Sequence, residues 1–133
     1  MKNSLLFVIA VLLFATSCAT PNEAEISALN YGIPPKNYEE IYKNGLKNAL
    51  KDPESLQIRN VKEPKKMWSK DLYRGLSAYW IICGEYNAKN SFGGYVGYDI
   101  GAVWFKNGNF GRLNLIKGEM MGLTAKAKYP CND

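Results

Sequence analysis

The side chains best suited to chemistry lie close together in residues 85–98 of this 133-residue chain. Amides, a carboxylate, an amine and a hydroxyl alternate there with aromatic rings. This combination suits the binding of a glycan or peptide, because rings provide contact area and polar groups fix orientation. The predicted binding residues are Glu85, Asn87, Lys89, Asn90, Ser91, Tyr95 and Tyr98.

A catalytic role for Glu85 with Lys89 is a weaker hypothesis, since hydrolysis normally needs a second carboxylate or base at a suitable place. The same segment also has a structural interpretation. Its glycines permit unusual backbone angles, and Asn87 and Asn90 tolerate left-handed conformations. It could therefore be an ordered connection between two strands.

The chain contains no histidine. This excludes catalysis that depends on histidine as acid or base, the Ser–His and Cys–His nucleophiles, and nearly all zinc sites. We therefore predict no metal, no cofactor and no catalytic residue, which favours a binding protein over an enzyme.

A second group of candidates is cationic and surrounds Met67-Trp68. Such a basic patch could contact anionic lipid head groups or an acidic partner, although lysine-rich loops are often simply solvated. The formal net charge of the whole chain is +5, and no basic run is long enough to indicate nucleic-acid binding. The residues of the patch are Lys62, Lys65, Lys66, Lys70 and Arg74.

The N-terminus combines Lys2, an apolar run from Leu5 to Phe14, and small residues before Cys18. The run is too short to span a bilayer, which requires about 20 residues, and has the length of a signal-peptide core. Residues 15–18 resemble the lipobox of bacterial lipoproteins. The resemblance implies a signal peptide at 1–17, cleavage before an acylated Cys18, and a lipid anchor in the membrane. With Ala19 next, it points to the outer membrane, facing the periplasm.

If Cys18 carries lipid, only Cys83 and Cys131 remain as thiols. Export into an oxidising compartment favours a disulfide between them, while two free thiols remain the alternative.

Periodicity predicts the elements that hold these residues. The lipobox resemblance and the proline content together imply an acylated tether at residues 18–36, and residues 37–133 are predicted to form one small α+β domain. An amphipathic helix at 38–51 packs on an antiparallel sheet of three to four strands, with a short C-terminal helix possible at 119–127. Strands are expected at 56–61, 78–83, 95–105 and 110–116, and Asn107-Gly108 predicts a hairpin turn. Residues 62–71 are predicted to be a loop because they are polar and contain Pro64.

Two further segments, Lys51–Ser55 and Cys83–Gly97, read Lys-Asp-Pro-x-Ser and Cys-Gly-x-x-Asn-Ala-Lys-Asn-x-x-Gly-Gly-Tyr-x-Gly. They resemble a small family of bacterial exported proteins and lipoproteins, a resemblance that implies no activity. Our leading hypothesis is a membrane-anchored, non-catalytic module that binds an envelope protein or a cell-wall glycan. The alternatives are a periplasmic inhibitor or assembly factor that uses the basic 62–74 loop, and a small hydrolase that uses Glu85.

Overall fold

The structure is a computed structural model that describes residues 20–71, 74–113 and Cys131. The predicted signal peptide, Cys18 and the predicted C-terminal helix at 119–127 lie outside these residues. Among the described helices, none has the length and apolar character needed to cross a bilayer.

The fold is mixed, as predicted, with few helices and one antiparallel sheet. Helix α1 (Glu23–Ser27), helix α2 (Tyr38–Lys47) and a 3₁₀ turn (Pro53–Ser55) precede the strands. The strands are β1 (Gln57–Arg59), β2 (Lys65–Asp71), β3 (Gly75–Asn87), β4 (Asp99–Lys106) and β5 (Asn109–Leu113).

Strand β3 is the centre of the sheet because its 13 residues pair with three neighbours. One edge of β3 carries β2 near its start and β1 near its end, and its other edge carries β4, which pairs with β5. The apolar, β-branched centre of β3 is buried on both faces, which suits a central strand. Between β4 and β5, Asn107 and Gly108 both have positive φ, confirming the predicted hairpin turn.

The prediction of a loop at 62–71 is wrong, because Lys65–Asp71 forms strand β2. Pro64 directly precedes the strand, where its missing N–H removes no ladder hydrogen bond. Lysines are common on edge strands because they discourage pairing with other chains. The sheet formed by the described residues therefore has five strands, one more than the largest predicted number.

Helix α2 covers one face of the sheet and forms the main core with it. Tyr42 and Leu46 of the helix are fully buried against Ile82 and Val103 of the sheet. The helix ends at Lys47 rather than at the predicted residue 51, because the N–H groups of Ala49 and Leu50 bond three residues back, in a tighter turn.

The opposite face holds a smaller core around the disulfide. The predicted pairing of Cys83 with Cys131 is confirmed, with Cα atoms 5.6 Å apart. Both cysteines are buried with Ile81 and Ala102.

The end of the predicted tether contacts the sheet. Tyr31 is buried edge-on against Trp80, with ring centroids 6.5 Å apart, and the indole N–H of Trp80 donates to the Gly32 carbonyl at 3.2 Å. A side chain at Gly32 would overlap Asn107 in the β4–β5 turn. The chain thus reaches the sheet at its hairpin end, before the predicted domain boundary at residue 37.

Candidate functional site

The connection between β3 and β4, residues 88–98, lies at the other end of the sheet, and we call it the display loop. Its residues from Lys89 onward are all exposed to solvent. Phe92 is 96% exposed and Val96 is 79% exposed, and Tyr95, Tyr98 and the following Ile100 are also classed as exposed. Large apolar side chains are therefore concentrated on one protruding segment.

Hydrogen bonds hold the tip of the display loop in one conformation. The Asn90 side-chain oxygen accepts from the backbone N–H of Phe92 at 2.9 Å and of Gly94 at 3.1 Å. The Asn90 backbone N–H donates to the Gly94 carbonyl at 2.9 Å. The hydrogen bonds of Asn90 thus define the turn on which Phe92 is exposed to solvent.

The base of the display loop rests on Ser55, which is buried. The Ser55 hydroxyl accepts from the Lys89 N–H at 3.0 Å and donates to the Asp52 carbonyl at 2.8 Å. The Tyr95 hydroxyl donates to the Ser55 carbonyl at 3.0 Å. Beside it, the Lys51 ammonium donates to the Ser91 hydroxyl at 2.9 Å. The two motifs that stand apart in the sequence are therefore adjacent in the fold.

Next to the loop, Glu85 belongs to a four-residue polar cluster. Arg59 Nε donates to one Glu85 oxygen at 2.7 Å, and Asn60 Nδ2 donates to the other at 2.8 Å. The Arg59 guanidinium also lies 3.8 Å from the centre of the Tyr98 ring. Cation and ring attract each other in this arrangement.

These contacts determine the chemistry open to Glu85. Hydrogen bonds from Asn60 and then Arg59 lower the pKa of its carboxyl below the ordinary value. A general acid needs a raised pKa, so the lowered pKa disfavours this role for Glu85. Since both oxygens accept hydrogen bonds from neighbouring side chains, Glu85 is suited to orienting Arg59.

Asn87 differs from the other predicted binding residues because it is buried in β3. Its side-chain oxygen accepts no hydrogen bond from the described residues. The remaining six predicted residues lie in the display loop or in the Glu85 cluster beside it.

The predicted basic patch is divided by the pleat of β2. Lys65 and Lys66 are consecutive in the strand, so their side chains leave opposite faces of the sheet. The Lys66 ammonium lies 5.2 Å from the Tyr31 ring and 5.9 Å from the Trp80 ring, on the face that Tyr31 contacts. Lys70 follows the same face as Lys66, Lys62 precedes the strand, and Arg74 follows it.

Four residues that the sequence did not single out as binding residues complete the site. Lys51 and Ser55 belong to the Lys-Asp-Pro-x-Ser segment noted in the sequence, so the sequence carried some signal for them. Arg59 and Asn60 had none, because their importance comes from pairing with a carboxylate 26 and 25 residues away.

Within residues 20–71 and 74–113 and Cys131, no three metal-ligating side chains lie close enough to hold a metal ion.

No protein-family model, no curated protein and no solved structure matches this chain.

Proposed function

We propose that this protein is a lipid-anchored envelope protein whose domain binds a protein partner through the display loop. The observation that carries the proposal is the exposure of Phe92 on a turn closed by Asn90, together with the exposure of Val96 shortly after that turn. Exposed apolar side chains that cluster in this way commonly mark an interaction surface. Because the turn is already hydrogen-bonded, little conformational freedom would be lost on binding.

A protein partner agrees with the contacts better than a glycan does. Glycan sites use open ring faces beside free polar groups, but Arg59 covers one face of Tyr98 and the Tyr95 hydroxyl is bonded to Ser55. Protein interfaces instead favour aromatic residues and arginine around a small apolar centre. Phe92 and Val96 supply that centre.

The position of the loop suits a protein that is anchored through its N-terminus. The N-terminal segment meets the sheet at Trp80 and Asn107, near the β4–β5 turn. The display loop precedes β4, whose eight residues span roughly 25 Å. A domain anchored through Cys18 would therefore present the loop at the end farther from its attachment.

The other two hypotheses receive less support. An inhibitor or assembly factor that used the basic 62–74 segment would need its cations on one surface, and β2 directs Lys65 away from Lys66. A hydrolase that used Glu85 as its general acid would need a raised pKa, and the hydrogen bonds from Asn60 and Arg59 lower the pKa of this carboxyl.

We expect Phe92→Ser to reduce partner capture about tenfold or more, because a large side chain at the centre of an interface carries much of the binding energy. The full-length protein would carry a photo-crosslinking amino acid at Val96, and the yield of the protein adduct would be measured in the cells of origin. Ile33→Ser is the matched control, since Ile33 is also large, apolar and 76% exposed, but precedes α2. Equal adduct yields from the two variants would contradict the proposal. An adduct that a cell-wall hydrolase removes would favour the glycan hypothesis.

We expect Cys18→Ser to abolish acylation and cleavage at this position, because only the thiol can form the thioether. Stable membrane attachment depends on the acyl chains, at about 0.8 kcal/mol per buried CH₂. Membrane fractionation and intact mass measure both effects. A variant that remains acylated and sediments with membranes would refute the lipid anchor.

A further inference from the structure

Arg59 is held in place by two neighbours that, among the described residues, engage only part of its hydrogen-bonding capacity. Its Nε donates to Glu85, and its guanidinium lies against Tyr98. No described residue accepts a hydrogen bond from its terminal Nη1 or Nη2 groups, and its side chain is 54% exposed. These two groups form the fork that binds a carboxylate through two parallel hydrogen bonds.

The charges around this fork favour an anion. Glu85 compensates the charge of Arg59, and Lys62 adds a second positive charge near enough to act on the same carboxylate. Asp99, a carboxylate in β4, pairs with Tyr86 of β3. Its side chain therefore leaves the face of the sheet opposite to that of Glu85. Its own oxygen accepts from the Ile100 N–H at 2.8 Å.

Apolar surface lies directly beside the fork. Ile100 pairs with Glu85 across β3 and β4, so both side chains leave the same face of the sheet. Ile100 is exposed there, and the exposed Tyr98 ring lies against Arg59 itself. A ligand bound to Arg59 would therefore lie close to the apolar side chains of Tyr98 and Ile100.

We propose that Arg59 recognises a carboxylate on the protein partner, an aspartate or glutamate flanked by apolar side chains that pack on Tyr98 and Ile100. The proposal rests on the proposed function, because it assumes that the display loop binds a protein. Glu85 and Tyr98 already orient the Arg59 guanidinium, so the Arg59 side chain would lose little conformational freedom when the carboxylate binds.

Two peptides that differ only in charge test this proposal: acetyl-Leu-Asp-Leu-amide and acetyl-Leu-Asn-Leu-amide. Their dissociation constants would be measured by calorimetry on the full-length protein in nanodiscs, with empty nanodiscs as the blank. We expect the aspartate peptide to bind about tenfold more tightly, because hydrogen bonds to a charged group are the stronger kind. Arg59→Gln should make the two constants equal. Arg59→Lys should leave an intermediate ratio, because it keeps the charge and loses the fork.

Lys43→Gln is the control, since it removes one positive charge from an exposed position on α2 and should keep the full ratio. Equal binding of both peptides to the unmodified protein, or a ratio that survives Arg59→Gln, would overturn the proposal. Acetate or solubilised cell-wall stem peptides that bind as tightly as the aspartate peptide would also overturn it, by assigning the fork to a free anion or to the cell wall. Unfolding curves for each variant exclude loss of folding as the cause.

The outcomes separate this inference from the proposed function. If Phe92→Ser lowers partner capture while Arg59→Gln leaves both capture and the peptide ratio unchanged, the display loop binds a protein and the role of Arg59 is wrong. If Phe92→Ser has no effect on capture, the proposed function fails first.

Discussion

Replacing Cys83 and Cys131 together with alanine is expected to lower the free energy of unfolding by about 4 kcal/mol. The bond joins residues that are 48 positions apart, so it removes much of the conformational freedom of the unfolded chain. It also joins the last segment of the chain to the centre of β3. Domains of this size are stable by about 5–15 kcal/mol, so the loss would be a large fraction of the total.

Denaturant unfolding of the full-length protein, followed by circular dichroism, measures this effect with and without a reducing agent. The reductant should lower the stability of the unmodified protein to that of the double variant, and should leave the double variant unchanged. Mass spectrometry without reduction should find the unmodified protein lighter by two hydrogens. A double variant as stable as the oxidised protein would show that the bond contributes nothing to stability.

The parts of the fold that could be predicted are those that local physics determines. The apolar run at 78–83 is too β-rich to be anything but a buried strand, and Asn107-Gly108 allows positive φ at two successive positions. Strand β2 was predicted to be a loop because lysines and a proline such as Pro64 are typical of loops. It is a strand only because Leu76–Ile81 offers a free edge of β3, and that edge is a product of the tertiary fold.

The candidate site divides in the same way. The sequence placed donors, acceptors and rings together in residues 85–98, and six of the seven predicted residues lie in the display loop or beside it. Composition could not reveal that Glu85 is bound by Arg59 and Asn60, since that contact depends on the register of β1 with β3. Nor could it distinguish Phe92, which is exposed, from the equally apolar Phe105, which packs on the core.

Tyr42→Ala is expected to destabilise the protein by about 3–5 kcal/mol, the cost of removing a large buried aromatic ring. Tyr42 is fully buried between α2 and the sheet, and two glycines make room for it. A Cβ at Gly84 would lie 2.9 Å from the Tyr42 ring, and one at Gly101 would lie 2.8 Å from its hydroxyl oxygen. Such a close fit leaves a cavity when the ring is removed, and equilibrium unfolding measures the loss.

Tyr42→Phe separates the ring from the hydroxyl, which donates to the Gly101 carbonyl at 3.5 Å. Because that bond is long, the variant should lose only about 1 kcal/mol. Gly101→Ala should cost about 1–3 kcal/mol through overpacking, and less in the Tyr42→Phe background, where the nearest atom is gone. If the two costs simply add, the Tyr42 hydroxyl does not limit the space at Gly101. If Tyr42→Ala proves as stable as Tyr42→Phe, the ring does not hold α2 on the sheet. In that case the display loop, whose base at Ser55 follows α2 in the chain, would be positioned by the sheet alone.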